Sequence, residues 1–156
     1  MTSDERDSAG VVAPPPLIYA IPLALGLLLT RQLPVPFLPR GTARILGWSL
    51  LGGGLSLAVW FFRALWSAGT PVDPREPTSN LVTNGPYRYT RNPGYLSMAL
   101  IYAGISSRTN SLWSILLLPV ALLVIRYGVI EREEHYLERV FGEEYLSYKA
   151  RVHRWI

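Results

Sequence analysis

Apolar residues fall in blocks along the chain: Leu17–Thr30, Ile45–Trp66 and Tyr95–Tyr127 hold most of them, while charge gathers at Pro71–Arg91 and from Arg126 to Arg154. A helix needs about 20 predominantly apolar residues to cross a hydrocarbon core of roughly 30 Å. Ala43–Trp66 meets that requirement most clearly. Ser49 and Ser56 are its only interior polar groups before Arg63, which can snorkel toward the interface beside Trp60 and Trp66. The glycines Gly52–Gly53–Gly54 in its middle permit close approach of another helix. Leu17–Thr30 is short, but Val11–Pro16 or Leu33 extends it, and Pro22 would kink it. Gly94–Ser107 and Ser111–Tyr127 are separated only by Arg108–Asn110, which predicts a tight helical hairpin.

Between these blocks the chain breaks. Gln32–Thr42 holds Pro34, Pro36, Pro39 and Gly41, a loop by composition. Ser67–Asn92 contains Pro71, Pro74, Pro77, Gly85 and Pro86, with Pro93 just beyond, and these forbid a long helix. A loop of that length in a small protein is usually functional or disordered. After Arg126 the pattern predicts an amphipathic charged helix over Ile130–Val140, ended by Phe141–Gly142, with further helical turns over Glu143–Lys149. The expected fold is all-α: an integral-membrane helical bundle of about four transmembrane segments including the hairpin. Residues 1–13 are expected to form a disordered cytosolic tail, and residues 14–156 one membrane domain. The acid-rich start, with Asp4, Glu5 and Asp7 against Arg6, does not fit a signal peptide.

Composition agrees with this pattern. Only 17% of residues are charged and mean hydropathy is +0.20, where a soluble domain carries about 25% charged residues. The net charge is +4, but the basic residues flank apolar spans, so anionic lipid headgroups are the expected partner and nucleic acid is not. With no cysteine and only His135 and His153, there is no disulfide framework and no thiolate or histidine-rich metal site. Four crossings put both ends on one side. Arg31, Arg40, Arg44 and Arg108 then lie outside, and Arg75, Arg88, Arg91 and the dense C-terminal set lie inside, which favours a cytosolic C-terminus.

Three polar clusters stand at the edges of the spans, where ionisable groups are costly unless solvated or used. In Gly85–Tyr95, Pro86 and Pro93 fix the backbone around Arg88 and Arg91, and Pro93–Gly94 can open a helix whose free N–H groups favour an anion. The same residues also read as a basic loop lying at the headgroups. Glu131–Glu134 follows a span directly; its carboxylates can accept hydrogen bonds from hydroxyl or amino groups, or form a solvated charged face. In Phe141–Val152, Tyr145, Tyr148 and Arg151 share a helical face. They can converge on a pocket wall, or the helix can lie on the membrane surface.

Taken in order, the three clusters resemble the isoprenylcysteine carboxyl methyltransferases and their bacterial and archaeal relatives. Leu81-Val-Thr-Asn-Gly-Pro-Tyr87 followed by Arg91-Asn-Pro-Gly-Tyr95 is similar to that family's L-V-T-x-G-x-Y and R-H-P-x-Y. Glu133-Glu134 resembles its paired glutamates, and Phe141-Gly-Glu-Glu-Tyr145 with Tyr148-Lys-Ala-Arg-Val152 its F-G-x-x-Y-x-x-Y-x-x-R-V ending. The resemblance covers about Leu81–Val152. Phospholipid N-methyltransferases share the R-H-P-x-Y and Glu-Glu elements.

The resemblance implies a membrane methyltransferase that binds S-adenosylmethionine in a cytosol-facing pocket, formed by about residues 81–156 and covered by the C-terminal amphipathic segment. The acceptor would be a lipophilic small molecule or prenylated substrate, methylated on a carboxylate, with membrane lipids around it and no metal. Carried over residue by residue, Tyr87, Arg91, Asn92, Pro93, Tyr95, Glu133, Glu134 and Tyr148 would contact the cofactor. Arg91, Glu134 and Arg151 would serve catalysis, Arg151 at an anionic substrate group or the closed lid. Asn92 stands where the family usually has histidine, and His153 where proline often follows R-V. Asparagine cannot titrate near neutrality, so a general base at that position is lost. The alternatives are phospholipid N-methylation and a non-catalytic membrane scaffold with the same fold.

Overall fold

The computed structural model describes residues 10–72 and 80–156. Most of the tail expected over 1–13, and Pro74, Arg75 and Pro77 of the long loop, lie outside the described residues. Those described form helices and their connecting loops, with no strand: α1 (Pro15–Gln32), α2 (Arg40–Ala68), α3 (Pro93–Arg108), α4 (Leu112–Ile125), α5 (Glu131–Phe141) and α6 (Glu143–Arg151). A 3-10 turn covers Gly85–Arg88, and a π-helical turn, Arg126–Ile130, joins α4 to α5 without a break. The charged segment expected as a separate helix is therefore the end of one continuous rod. Two helices are long and apolar enough to cross a membrane, Arg40–Ala68 and the rod Leu112–Phe141. The apolar part of the rod ends at the π turn, and Glu131 begins its charged part.

Helix starts follow local chemistry. Pro15 and Pro93 occupy first-turn positions of α1 and α3, where the missing N–H has no partner to lose. Ser111 caps α4 by accepting a hydrogen bond from the Ser114 N–H at 3.1 Å. Gly69 ends α2 in the left-handed conformation, at φ 63°.

α3 lies against α2, and α1 against α4. Small residues set how close they come. A Cβ on Gly47 would stand 2.7 Å from the Arg108 backbone nitrogen, and one on Gly54 2.8 Å from the Ile101 side chain. These two glycines, seven residues apart, share the face of α2 that meets α3. Of the run Gly52–Gly53–Gly54, only Gly54 serves this approach; Gly52 and Gly53 face open space. Gly26 does the same for α1, where a Cβ would meet Ser114 at 2.5 Å.

The buried core is Ile18, Tyr19, Tyr102, Ala121, Ile125, Val129 and Ile130, from α1, α3 and the α4 rod. Val11 and Ala13 pack against it, and the Val12 N–H donates to the Gly128 carbonyl at 3.2 Å, so the chain just before α1 is seated on the π turn. The outer faces are apolar: Leu17, Ile21, Leu25 and Leu28 on α1, Ile45, Leu55 and Val59 on α2, and Leu116, Val120 and Leu123 on α4 are all exposed. Apolar stripes of this extent on three helices suit hydrocarbon rather than water.

Candidate active site

Near the C-terminal end of α2 and the N-terminal end of α3, the loop carrying the 3-10 turn, α5 and α6 enclose a cavity of about 440 Å³. Its wall includes Tyr87, Arg91, Asn92, Pro93, Tyr95, Glu133, Glu134 and Tyr148, so residues far apart in sequence face one space. Arg151 is not among them. It is exposed, and its Nε donates to the carbonyl of Ser147 one turn back. The helical face that brings Tyr145 and Tyr148 inward turns Arg151 to solvent.

The paired glutamates divide their roles. Glu134 is buried and receives three cations: Arg91 Nη2 at 3.1 Å, Arg154 through Nε at 3.0 Å and Nη2 at 2.8 Å, and Lys149 Nζ at 3.8 Å. The double contact from Arg154 has the geometry that guanidinium–carboxylate pairs favour. Glu133 accepts from the Tyr95 hydroxyl at 2.5 Å and faces the cavity. Burial pushes the Glu133 carboxyl up to about 7; the Tyr95 hydrogen bond opposes the shift and the Glu134 charge adds to it. Glu133 therefore changes charge near neutrality, while Glu134 is committed to ion pairs.

Arg91 is the cavity's unsatisfied group. Its side chain is 9% exposed, and only Nη2 reaches a partner. Nε and Nη1 are buried with no hydrogen-bond partner among the described groups. Leaving buried donors unpaired costs about 1–3 kcal/mol each, and an anion in the cavity would relieve that cost. Tyr148 donates to the Tyr87 carbonyl at 2.7 Å, which ties α6 to the 3-10 turn. Burial raises the pKa of Tyr87, Tyr145 and Tyr148, so all three remain neutral hydroxyls. The rest of the wall is largely apolar, with Phe61, Phe62 and Leu65 from α2 and Val72, Leu81 and Met98 beside them.

Asn92 does not project a free amide. Its Nδ2 donates to the Arg154 carbonyl at 2.8 Å, Thr90 Oγ1 donates to the same oxygen at 3.1 Å, and the Arg91 N–H donates to the His153 carbonyl at 3.0 Å. The last residues thus lie along the 90–92 loop as a strap, with the Arg154 side chain turned back onto Glu134. Arg154 is the residue that sequence reasoning missed. It lies beyond the last recognisable motif, and only the strap's path brings it to the glutamates. Among the described residues, no group of three His, Cys, Asp or Glu side chains is placed to hold a metal ion.

A stretch of 62 residues is 40% identical to an uncharacterized protein of Haemophilus influenzae, covering 40% of this chain and 98% of that protein. No solved structure matches the chain. A sequence model of the phospholipid methyltransferase family matches residues 42–144, from the first turn of α2 into α6. That span takes in Arg91, Tyr95, Glu133 and Glu134, the residues that meet at the cavity, and leaves Tyr148 and the strap outside it. On the strength of this match over most of its length, the chain belongs to the phospholipid methyltransferase family.

Proposed function

We propose that the chain is a membrane-embedded enzyme that transfers a methyl group from S-adenosylmethionine to a lipid-borne acceptor. The observation that carries the proposal is Arg91, a buried guanidinium with two unpaired N–H positions, which shares with Glu133 the wall of a largely apolar cavity. A cation and a carboxylate at one end suit the carboxylate and amino groups of the cofactor's amino-acid part, with Arg91 on the former and Glu133 on the latter. Bound S-adenosylmethionine would supply a methyl group on a positively charged sulfur, so no metal and no covalent enzyme intermediate is needed.

The chain's own residues bind, orient and exclude water. Glu134 holds Arg91 in place, and Tyr87, Tyr95 and Tyr148 shape the polar end. Asn92 anchors the strap rather than moving a proton, which suits an acceptor that needs only positioning. Following the isoprenylcysteine methyltransferase resemblance, the acceptor is a carboxylate on a prenylated or similarly apolar molecule. The family match favours a second reading, a phospholipid amine. All four apolar segments are taken to cross the membrane, with the cavity on the cytosolic side. The chain has no cysteine, so Ile156→Cys and Phe37→Cys report that topology. An impermeant thiol reagent applied to intact cells should label position 37 and spare position 156; the reverse result refutes the orientation.

The activity test is calorimetric titration of the detergent-solubilised chain with S-adenosylhomocysteine, followed by transfer of labelled methyl from S-adenosylmethionine to a prenylcysteine and, separately, to phosphatidylethanolamine. Binding with transfer to one acceptor assigns the class. Binding absent, or present with no transfer to either acceptor or to a host lipid extract, would leave a scaffold in place of the enzyme.

A further inference from the structure

At the end of the bundle away from the active-site cavity, the start of α2 and the α3–α4 connection enclose a second cavity of about 400 Å³, lined by Arg40, Ala43, Arg44, Arg108, Thr109 and Asn110. Arg40 and Arg44 are one helical turn apart on the same face of α2. Arg108, the last residue of α3, reaches them because Gly47 lets the α3 backbone come close. Its guanidinium carbon lies 5.6 Å from the centre of the Trp48 ring, a cation–π contact that fixes the head but satisfies none of its N–H groups. All three arginines are exposed, and none forms an ion pair or side-chain hydrogen bond with a described residue.

Energetically this is an incomplete arrangement. Three like charges surround one space, and two of them stand at the positive end of a helix whose first turn has no acidic residue and no side-chain cap. Cations there oppose the helix dipole. A bound anion reverses both penalties and accepts hydrogen bonds from the guanidinium forks. The level of the cavity selects the anion. Exposed Ile45, Leu46 and Trp48 begin the apolar band of α2 immediately beside it, and indoles concentrate where hydrocarbon meets headgroups. The other end of the same 29-residue helix carries Phe61, Phe62 and Leu65 of the active-site cavity, about 43 Å of helix in all.

We propose that this second cavity binds the phosphate-bearing headgroup of an anionic phospholipid, in the leaflet opposite the active-site cavity. The site is independent of which reaction the chain performs. It also gives a purpose to arginines that would otherwise sit on the side of the membrane where basic residues are sparse.

The test uses the full chain in a neutral detergent, titrated calorimetrically with dihexanoyl phosphatidylglycerol below its micellar concentration. Dihexanoyl phosphatidylcholine and inorganic phosphate serve as comparison probes. Wild type should bind phosphatidylglycerol at least tenfold more tightly than Arg40→Gln/Arg44→Gln/Arg108→Gln does, and more tightly than it binds either other probe. The triple variant leaves the active-site lining untouched, so lipid bound there does not contribute to the difference. Arg139→Gln, which removes an exposed arginine elsewhere, should change affinity by less than twofold. Should the triple variant fail to fold, Arg44→Gln alone should weaken binding about fivefold. Equal affinity in wild type and the triple variant, or in wild type and Arg44→Gln where that variant replaces it, overturns the proposal, and so does equal affinity for phosphatidylcholine. Phosphate binding as tightly as the lipid would reduce the site to one for free ions, which also overturns it.

Discussion

At the end that holds the candidate active site Arg91, Lys149 and Arg154 all approach one carboxylate, Glu134, whereas at the opposite end Arg40, Arg44 and Arg108 surround a cavity whose lining has no carboxylate. The far end is held together by neutral groups instead. The Asn110 side chain accepts from the Phe37 and Leu38 N–H groups, each at 3.1 Å, and donates to the Leu38 carbonyl at 2.8 Å. Ser111 shares hydrogen bonds with Thr30 and Ser114. The contrast shows two ways of ordering a loop at the end of a helical bundle. Charge pairs fix side chains inside a sheltered site, while amide and hydroxyl groups fix backbone and leave cations available to the surroundings.

Removing the hub of the charged end should have the largest effect. Glu134→Ala leaves Arg91 buried without its ion-pair partner and Arg154 with Glu131 alone, and breaking a buried pair from one side costs about 3–5 kcal/mol. Unfolding of the solubilised chain by a denaturing detergent measures this, and a cost below 1 kcal/mol would mean the network contributes little to stability. At the neutral end, Asn110→Ala removes three hydrogen bonds at a residue with φ 51°, for a cost of about 2–3 kcal/mol. It should leave S-adenosylhomocysteine affinity unchanged, and a tenfold loss there would show that the two ends are coupled.

Arg91→Ala should separate binding from stability. Glu134 keeps Arg154 and Lys149, so the stability loss is smaller than for Glu134→Ala. S-adenosylhomocysteine affinity should fall at least tenfold, about 1.4 kcal/mol, and unchanged calorimetric affinity would return Arg91 to a structural part. Protonation gives a finer probe. Because Glu133 is raised to about 7, the folded chain binds more protons than the unfolded one between roughly pH 4.5 and 7, so this group's contribution to stability falls as pH rises through that window. If Glu133 holds the cofactor's amino group as proposed, binding needs the carboxylate form and should strengthen over the same rise. Glu133→Gln should flatten both profiles; parallel rather than opposed profiles in wild type would count against the assignment. The smallest effect is expected for Arg151→Ala, within about 0.5 kcal/mol in stability and twofold in affinity, since the side chain is exposed and its hydrogen bond among the described residues is to its own helix.

Much of the architecture was legible in order and composition. The apolar blocks, the proline-rich breaks and the helix start at Pro93 depend on local periodicity and on proline's fixed φ. The motif residues from Tyr87 to Tyr148 could be named as a group because each motif is short and continuous. Other features needed the folded chain. Periodicity does not say that only Gly54 of its glycine run meets a neighbour, because that depends on which face of α2 the α3 helix occupies. Nor does it say that α4 and α5 are one rod, since a π turn keeps the helix going while its polarity changes.

What the sequence by itself determined was the set of segments and the chemical inventory: apolar helices, a loop rich in proline and arginine, paired glutamates and a tyrosine-bearing ending. Only the tertiary structure decided how that inventory is shared out. Glu133 and Glu134 are adjacent in sequence, yet 100° of helical rotation between them turns one to the Tyr95 hydroxyl and the other to Arg91 and Arg154. Arg151 and Arg154 are three residues apart, yet α6 ends at Arg151, so the first stays on the helix surface and the second is carried by the extended strap back to Glu134. Side-chain partners are fixed by where backbone elements stop and cross, and those are properties of the packed chain rather than of any one segment.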